Sequence, residues 1–450
     1  MASGMAEPAS LLSRVSEELG LTALYNTSLD VKLLCLQRFV RLLAYGASTL
    51  ILVAYLETLG ISKTQTGLFM TLTLAGDLCI SFFLTLFADA LGRKATGSEI
   101  GPFRAIEESI VAHLTQPQDR AHVYAWYSLG GSVGTAFGML TGGLITDRLV
   151  NVLGWNKIMS YRVIFQIYAG IGLLKTIFAL LLSSRVEIDE KIEQAQADNT
   201  ADETAPLLNG TNSPEETQVP KTKSRLRSLL PAISKQSVSV VFELCLLFAV
   251  DSFASGLATI SWLTYFFHTQ FNIDEGRLGT IFLVTSLVTA ASMLVAASLA
   301  KRFGSIIVDW IMVATHLPSS ICLSVIPLFN ELHWSLVFLI IRACTHAMDT
   351  PPRAAFLAKI ILPGERTAVM GTINVIRTSS QTLGPLITGV LADKKLLWVS
   401  FVIAGALKAV YDIGLWVMFR NKEGKREQTE EQRTEENQSH ANESSNTVGS

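Results

Sequence analysis

Charge is what this sequence has least of. Asp, Glu, Lys and Arg make up 16% of the 450 residues, where a soluble chain usually carries about a quarter. Mean hydropathy is positive, and the apolar residues come in long blocks with the charges gathered between them. A formal net charge of −2 lacks the basic footprint of a nucleic-acid binder. The five cysteines (Cys35, Cys79, Cys245, Cys322, Cys344) sit inside apolar blocks, with no CxxC spacing and no nearby histidine pair. They read as small packing residues, not as a disulfide framework or a zinc site. Nucleotide-loop, zinc-ligand and Ser-His-Asp patterns are also missing. Neither a metal nor a cofactor is expected, and the chain is not expected to be an enzyme.

What is present is length of apolar run. A membrane-crossing helix takes about 20 mostly apolar residues. Ten such stretches can be read, near 38–60, 66–91, 122–146, 160–183, 239–267, 278–300, 305–329, 334–360, 367–391 and 396–419, in groups of four and six. The stretch before Val31 is polar and mixed, without a basic run leading into an apolar core, so the first span is expected to serve as the anchor. Residues 184–236 are rich in Glu, Asp, Asn, Thr, Pro and Lys and end in a basic segment with Lys221, Lys223, Arg225 and Arg227, as a disordered juxtamembrane linker does. Residues 420–450 form a second polar tail.

The organisation expected is a cytosolic N-terminal segment 1–35, an incomplete first bundle 36–183, a cytosolic linker 184–236, a six-helix bundle 237–419 and a cytosolic tail 420–450. Lys and Arg in the linker, at Arg93-Lys94, at Lys301-Arg302 and from Arg420 to Lys425 put both termini in the cytosol by the positive-inside rule. Glu203-Thr204-Ala205-Pro206-Leu207-Leu208 fits an acidic dileucine sorting pattern. The plasma membrane is still expected ahead of a vacuolar or endosomal one.

The two groups of spans repeat one another, as in many transporter folds. Gly67 precedes Gly92 by 25 residues and Gly279 precedes Gly304 by 25. Pro117-Gln118-Asp119-Arg120 corresponds to Pro363-Gly364-Glu365-Arg366. From Arg120, Gly138, Gly143 and Asp147 follow at 18, 23 and 27 residues; from Arg366, Gly384, Gly389 and Asp393 fall at the same offsets. The halves are copies.

At the end of the second span, Leu86-Phe87-Ala88-Asp89-Ala90-Leu91-Gly92-Arg93-Lys94 resembles the signature loop of the major facilitator superfamily, a glycine-led pattern with an aspartate, a glycine and a basic pair. Thr85 stands where the leading glycine is expected. The resemblance covers roughly residues 36–419. It implies an all-α membrane protein of two bundles with a central cavity and rocking alternating access, and it says little about the substrate. Asp89, Gly92, Arg93 and Lys94 form a candidate cytosolic gate. An aspartate at a helix end pairs with a neighbouring arginine or helix N-terminus in one state and releases it in the other.

The repeat also exposes a shortfall. Pro102-Phe103-Arg104-Ala105 matches Pro351-Pro352-Arg353-Ala354, yet Gly92 to Arg104 is 12 residues where Gly304 to Arg353 is 49. The first bundle is 37 residues short, about a helix and a half at 1.5 Å rise per residue. About ten full spans plus a partial helix around 102–114 are expected. A skipped exon or gene-model error and a genuine variant both account for the gap.

Ionisable groups inside spans are functional candidates by default. Arg41 and Asp251 stand at corresponding repeat positions, and Asp77 lies midway along the second span. Asp77 suits either a proton-binding carboxylate or a structural partner to an arginine. Arg104 pairs in sequence with Glu107 and Glu108 at i, i+3 and i, i+4. Arg342, His346, Asp349 and Arg353 recur at spacings of 4, 3 and 4 and form one helical stripe, either lining a cavity or making a buried ion network. Lys408 and Asp412, at i, i+4 in the last span, are expected to neutralise each other, and Lys175 to snorkel without a partner. The function expected is secondary transport of a small solute by a monomer, coupled to protons through Asp77, Asp251 and His346. A non-transporting membrane protein is the alternative.

Overall fold

The computed structural model describes residues 21–91, 110–111, 114–116, 119–182, 235–349, 353 and 366–418. Among them the regular structure is helical throughout, without a strand. A short helix α1 (Leu21–Asn26) leads into α2 (Leu29–Thr58), α3 (Lys63–Leu91), α4 (Arg120–Asp147) and α5 (Lys157–Leu180). After the linker come α6 (Lys235–Leu257), α7 (Ile260–Phe271), α8 (Glu275–Val325), α9 (Leu332–Thr345) and α10 (Arg366–Asp393), then α11 (Leu397–Met418). Five stretches among the described residues, Leu29–Thr58, Lys157–Leu180, Val238–Phe271, Glu275–Met293 and Leu397–Met418, are long and apolar enough to cross a membrane.

The chain divides into two compact units. The first comprises Met1–Leu59, Leu72–Ile233 and Asp274–Leu283; the second comprises Gly60–Thr71, Ser234–Ile273 and Val284–Ser450. The opening turns of α3 thus belong to the second unit, and those of α8 to the first.

In the first unit α2 and α4 meet backbone to backbone. A methyl group at Gly46 would collide with the Thr135 carbonyl, and one at Gly138 with the Leu43 carbonyl. Lipid tails supply no hydrophobic drive between helices, so association depends on such close approach. Tyr55 of α2 packs its ring on Tyr161 and Phe165 of α5, at 6.0 and 5.0 Å between centroids. Ile110 and Val111 are helical and buried in a cluster with Val31, Leu34, Val123, Tyr127 and Leu182. The end of the shortened segment is therefore packed; the rest of the expected partial helix lies outside the described residues.

The first turns of α8 complete this unit. A methyl at Gly143 would strike the Glu275 carbonyl and one at Gly279 the Met139 carbonyl. Asp147 stands beside Gly276, and Tyr161 Oη donates to Glu275 Oε1 at 2.6 Å.

The second unit repeats that joint with the repeat-equivalent residues. Gly67 of α3 abuts the Pro385 carbonyl and Gly389 of α10 abuts the Lys63 carbonyl. Asp393, the mate of Asp147, accepts from the Lys63 N–H at 3.0 Å and the Thr64 N–H at 2.8 Å, capping the start of α3. Burial alone would raise this carboxyl, but the bonds from Thr64 and Lys63 and the Lys63 charge hold it below the usual carboxylate range. Pro385 breaks the helical ladder of α10, and the Leu386 N–H next to it donates to Thr71 Oγ1 at 3.1 Å.

Four spans differ from the sequence expectation. The stretch expected at 239–267 is broken at Ala258-Thr259 into α6 and α7, and Thr388 Oγ1 donates to the carbonyl of Leu257 at the break (2.7 Å). The stretch expected at 334–360 is regular helix to Thr345, with turns over 346–349 and helix at Arg353; its other residues lie outside the described ones. The stretches expected at 278–300 and 305–329 share one helical run, α8, but that run is bent back on itself. Ser292 Oγ donates to the Ala343 carbonyl at 3.4 Å and the His316 ring lies 6.0 Å from that of His346. A straight helix would hold residues 292 and 316 about 36 Å apart, farther than contacts to positions three residues apart can reach.

Gly67→Ala and Gly279→Ala should each lower the thermal midpoint of the detergent-solubilised protein, at a cost of about 1–3 kcal/mol. Gly130→Ala, with no atom of another described element within 4 Å of the added methyl, should leave it unchanged or slightly raised. Asp393→Ala should cost about 1 kcal/mol at neutral pH. The folded-state depression of this carboxyl means its stabilisation is present above the carboxylate range and is lost as pH falls through it, so variant and parent should converge in acid.

Candidate functional site in the second unit

Polar residues inside the second unit form a connected network across α6, α8, α9, α10 and α11. At its centre Lys408 Nζ of α11 lies 2.6 Å from Asp251 Oδ1 of α6 and donates to Ser255 Oγ at 2.8 Å. Asp251 and Lys408 are each only 4% exposed. Asp251 and Ser255 are one helical turn apart and so present two acceptors to one ammonium. In hydrocarbon neither charge is tolerable alone; paired, with its hydrogen bonds made, each is.

One turn further along α11, Asp412 makes a second pair. His316 Nδ1 of α8 is 2.6 Å from Asp412 Oδ1, and Ser320 Oγ donates to Oδ2 at 2.9 Å. A carboxylate only accepts, so Nδ1 carries the proton in this tautomer. Gly405 lets α11 approach α8 here, since a methyl there would strike Ser324 and the Ser320 carbonyl. Tyr411, between the two pairs on α11, packs edge-on against His316 and tilted against Phe248.

The third pair is Asp349 with Arg353, 2.9 Å apart. Arg377 of α10 sits over the Phe248 ring at 5.3 Å and donates from Nε to Ser252 Oγ at 3.4 Å. Arg342 Nε and His346 Nδ1 are enclosed without a hydrogen-bond partner among the described residues.

Of the residues singled out in the sequence, Asp251, Arg342, His346, Asp349 and Arg353 come together in this unit. Arg41 is buried in the first unit. Asp77 is a half-buried residue of α3 with a partner of its own. The side chain of Asp89, and Gly92, Arg93, Lys94, Arg104 and Glu107, lie outside the described residues. Two expectations are corrected. Lys408 does not neutralise Asp412: the carboxylate of Asp251 and hydroxyl of Ser255 hold the ammonium on the α6 side, and His316 and Ser320 occupy Asp412. Lys175 is buried and not partnerless, and its carbonyl accepts from Gln37 Nε2 at 3.4 Å.

Sequence reasoning passed over His316 and Arg377. Both lie inside expected spans, 305–329 and 367–391, so the rule that singled out Asp251 applies equally to them. Neither belongs to a spaced stripe, and that is why the pattern at 342–353 drew notice and these did not.

The profile of the Major Facilitator Superfamily matches residues 100–377 and, overlapping, 244–445. The uncharacterized membrane protein YJR124C of Saccharomyces cerevisiae is 33% identical over 443 positions, covering 88% of this chain and 96% of the relative. An alignment of 443 positions that occupies 88% of 450 residues has several dozen positions filled in the yeast protein alone. In fold the chain is similar to the D-xylose-proton symporter (TM-score 0.62, 12% identity, 86% of this chain and 97% of that one). It is also similar to the nucleoside transporter NupG (0.58, 13%, 87% and 99%) and to a bacterial homolog of the human lysosomal transporter Spinster (0.57, 14%, 87% and 96%).

Asp251→Asn and Lys408→Met should each destabilise the protein by about 3–5 kcal/mol, because each strands the other's buried charge. The double variant should recover most of the loss. A double-mutant cycle on thermal midpoints in detergent measures the coupling; additive losses would show that the pair contributes nothing as a pair.

Proposed function

Because the chain belongs to the Major Facilitator Superfamily, we propose that it is a secondary transporter, not an enzyme. In this reading it moves a small solute across a membrane by alternating access and couples the movement to protons at Asp251. The observation that carries the reading is Lys408 Nζ shared between Asp251 and Ser255, one turn from a second carboxylate, Asp412. A proton on Asp251 removes the charge that holds the ammonium. Lys408 then keeps only the neutral hydroxyl of Ser255 on α6, and the carboxylate of Asp412, one turn away on its own helix, competes for it. Two placements of one side chain, selected by one proton, are what a coupled carrier needs: a bistable contact whose balance a bound ion shifts. His346 is a second candidate on the proton path, with its Nδ1 free of side-chain partners.

Arg41, Asp77, Arg104 and Glu107 are the candidates of the first bundle, and Asp89 with Gly92, Arg93 and Lys94 the cytosolic gate. The plasma membrane, a monomeric state and cytosolic termini complete the reading.

A second reading has its own observation. The gap between Gly92 and Arg104 and the several dozen positions filled only in the yeast relative favour a chain that lacks part of its first bundle and does not transport. RNA reads across the codons for Arg93 to Ser98 separate the two: an in-frame insert of about 37 residues, on the repeat's own count, would mark this chain as an incomplete copy.

Reconstituted in vesicles with an entrapped pH-sensitive dye, the full chain should acidify or alkalinise the lumen when one of a panel of solutes is added. The response should scale with an imposed pH gradient. Asp251→Asn should reduce that pH response tenfold or more. Solute flux indifferent to the gradient would remove the coupling, and no flux of any solute would favour the second reading.

A further inference from the structure

Among the described residues the network holds three carboxylates, and each has its own partner: Asp251 with Lys408, Asp349 with Arg353, Asp412 with His316. Two guanidinium groups of the same network are left over. Arg342 and Arg377 make no ion pair among the described residues, and both lie within expected spans where a bare cation is costly. They differ in what surrounds them. Arg342 has its Nε enclosed without a hydrogen bond and lies within electrostatic reach of Cys322 and His346. It adds positive potential to the interior of the unit.

Arg377 is held as a tool is held. The Phe248 ring lies under its guanidinium at 5.3 Å, a cation–π contact that fixes the plane. Ser252 Oγ accepts from Nε at 3.4 Å and fixes the rotation within that plane. Phe248 and Ser252 are one turn apart on α6, so one helix face supplies both constraints. The two Nη groups, the prongs of the fork, carry no hydrogen bond among the described residues. A planar fork with its stem fixed and its prongs open matches a carboxylate or phosphate, which accepts two parallel N–H bonds.

We propose that the transported solute is an anion, and that its carboxylate or phosphate group is bound bidentately by Arg377. This rests on the transport reading above and narrows it to a substrate class. Asp251 and Asp349 are near enough to Arg377 to be felt, but each is already engaged by its own cation. The fork therefore stays available, and the network's surplus positive charge is balanced when the anion arrives. Neutral sugars and nucleosides leave that surplus standing, and organic cations increase it.

The test uses the purified full chain in detergent. Thermal midpoints are measured at matched ionic strength with millimolar citrate, succinate, benzoate and phenyl phosphate, and with a neutral hexose, a nucleoside and an organic amine. At least one anion should raise the midpoint by several degrees, and the neutral and cationic compounds should not. The shift should vanish in Arg377→Gln, shrink in Arg377→Lys, whose point charge lacks the fork, and persist in Arg277→Gln, an exposed residue outside the network. If Arg377→Gln does not fold, Ser252→Ala decides. It keeps the charge and frees the stem, and should weaken the apparent anion affinity several-fold.

Stabilisation by no anion, stabilisation by neutral or cationic solutes instead, or an undiminished shift in Arg377→Gln each overturns the proposal. The failure of the transport reading looks different: anion binding that depends on Arg377, with no flux in vesicles. Flux of a neutral solute through Arg377→Gln would end the anion assignment and leave transport standing.

Discussion

In lipid a charge persists only where the protein supplies its partner, and the contact of Lys408 with Asp251 is where this chain meets that condition most directly. Both groups are almost wholly enclosed, so water contributes little to either. The contact ties α6 to α11, and the hydroxyl of Ser255 completes the acceptor set. The neighbouring pairs then follow by exclusion. With Lys408 committed to α6, Asp412 takes its donors from α8 through His316 and Ser320. An ion pair within α11 would have left Asp251 stranded on another helix, which is the more costly arrangement.

The helices that carry these groups are positioned by backbone contact. The same joint is built twice, with Gly67 and Gly389 in one unit and Gly279 and Gly143 in the other. In each case an aspartate at the end of one helix stands at the first turn of another: Asp393 at α3 and Asp147 at α8. Close approach needs residues without side chains, and the exposed amides of a helix start need an acceptor. One motif answers both needs, and duplication copied it whole. That is why the repeat is readable from glycine and aspartate offsets even where the intervening residues have drifted.

Much of the fold was therefore legible in the sequence, and so was the membrane character, because both are written in long-range periodicity. The breaks were not. The interruption at Ala258-Thr259 has no proline or glycine at the break itself to announce it, and its open carbonyl is served by Thr388, 131 positions away. The turns that follow Thr345 lie within a stretch that span length alone counts as one helix. The site was legible in part. A carboxylate in an apolar run identifies itself, as Asp251 does, but its partner is chosen in three dimensions. An i, i+4 spacing made Asp412 the natural partner of Lys408, and a tertiary contact from another helix prevailed.

The shortfall in the first bundle bears on the two layers differently. The joints in both units use α3, α4, α8 and α10, together with the α2–α4 and α6–α10 contacts made through Gly46, Gly138, Gly256 and Gly384. None of these residues lies between Gly92 and Arg104. The segment that remains ends in Ile110 and Val111, which still pack into the core of their unit. The packing layer of the repeat thus survives the loss, and the chain keeps the family fold. The charge layer is another matter. Arg342, His346, Asp349 and Arg353 lie in the second half on the stretch whose first-half counterpart is cut short, so the described charge network belongs to the complete half. Of the four charged positions on that stretch, the repeat leaves the first half Arg104 as the counterpart of Arg353.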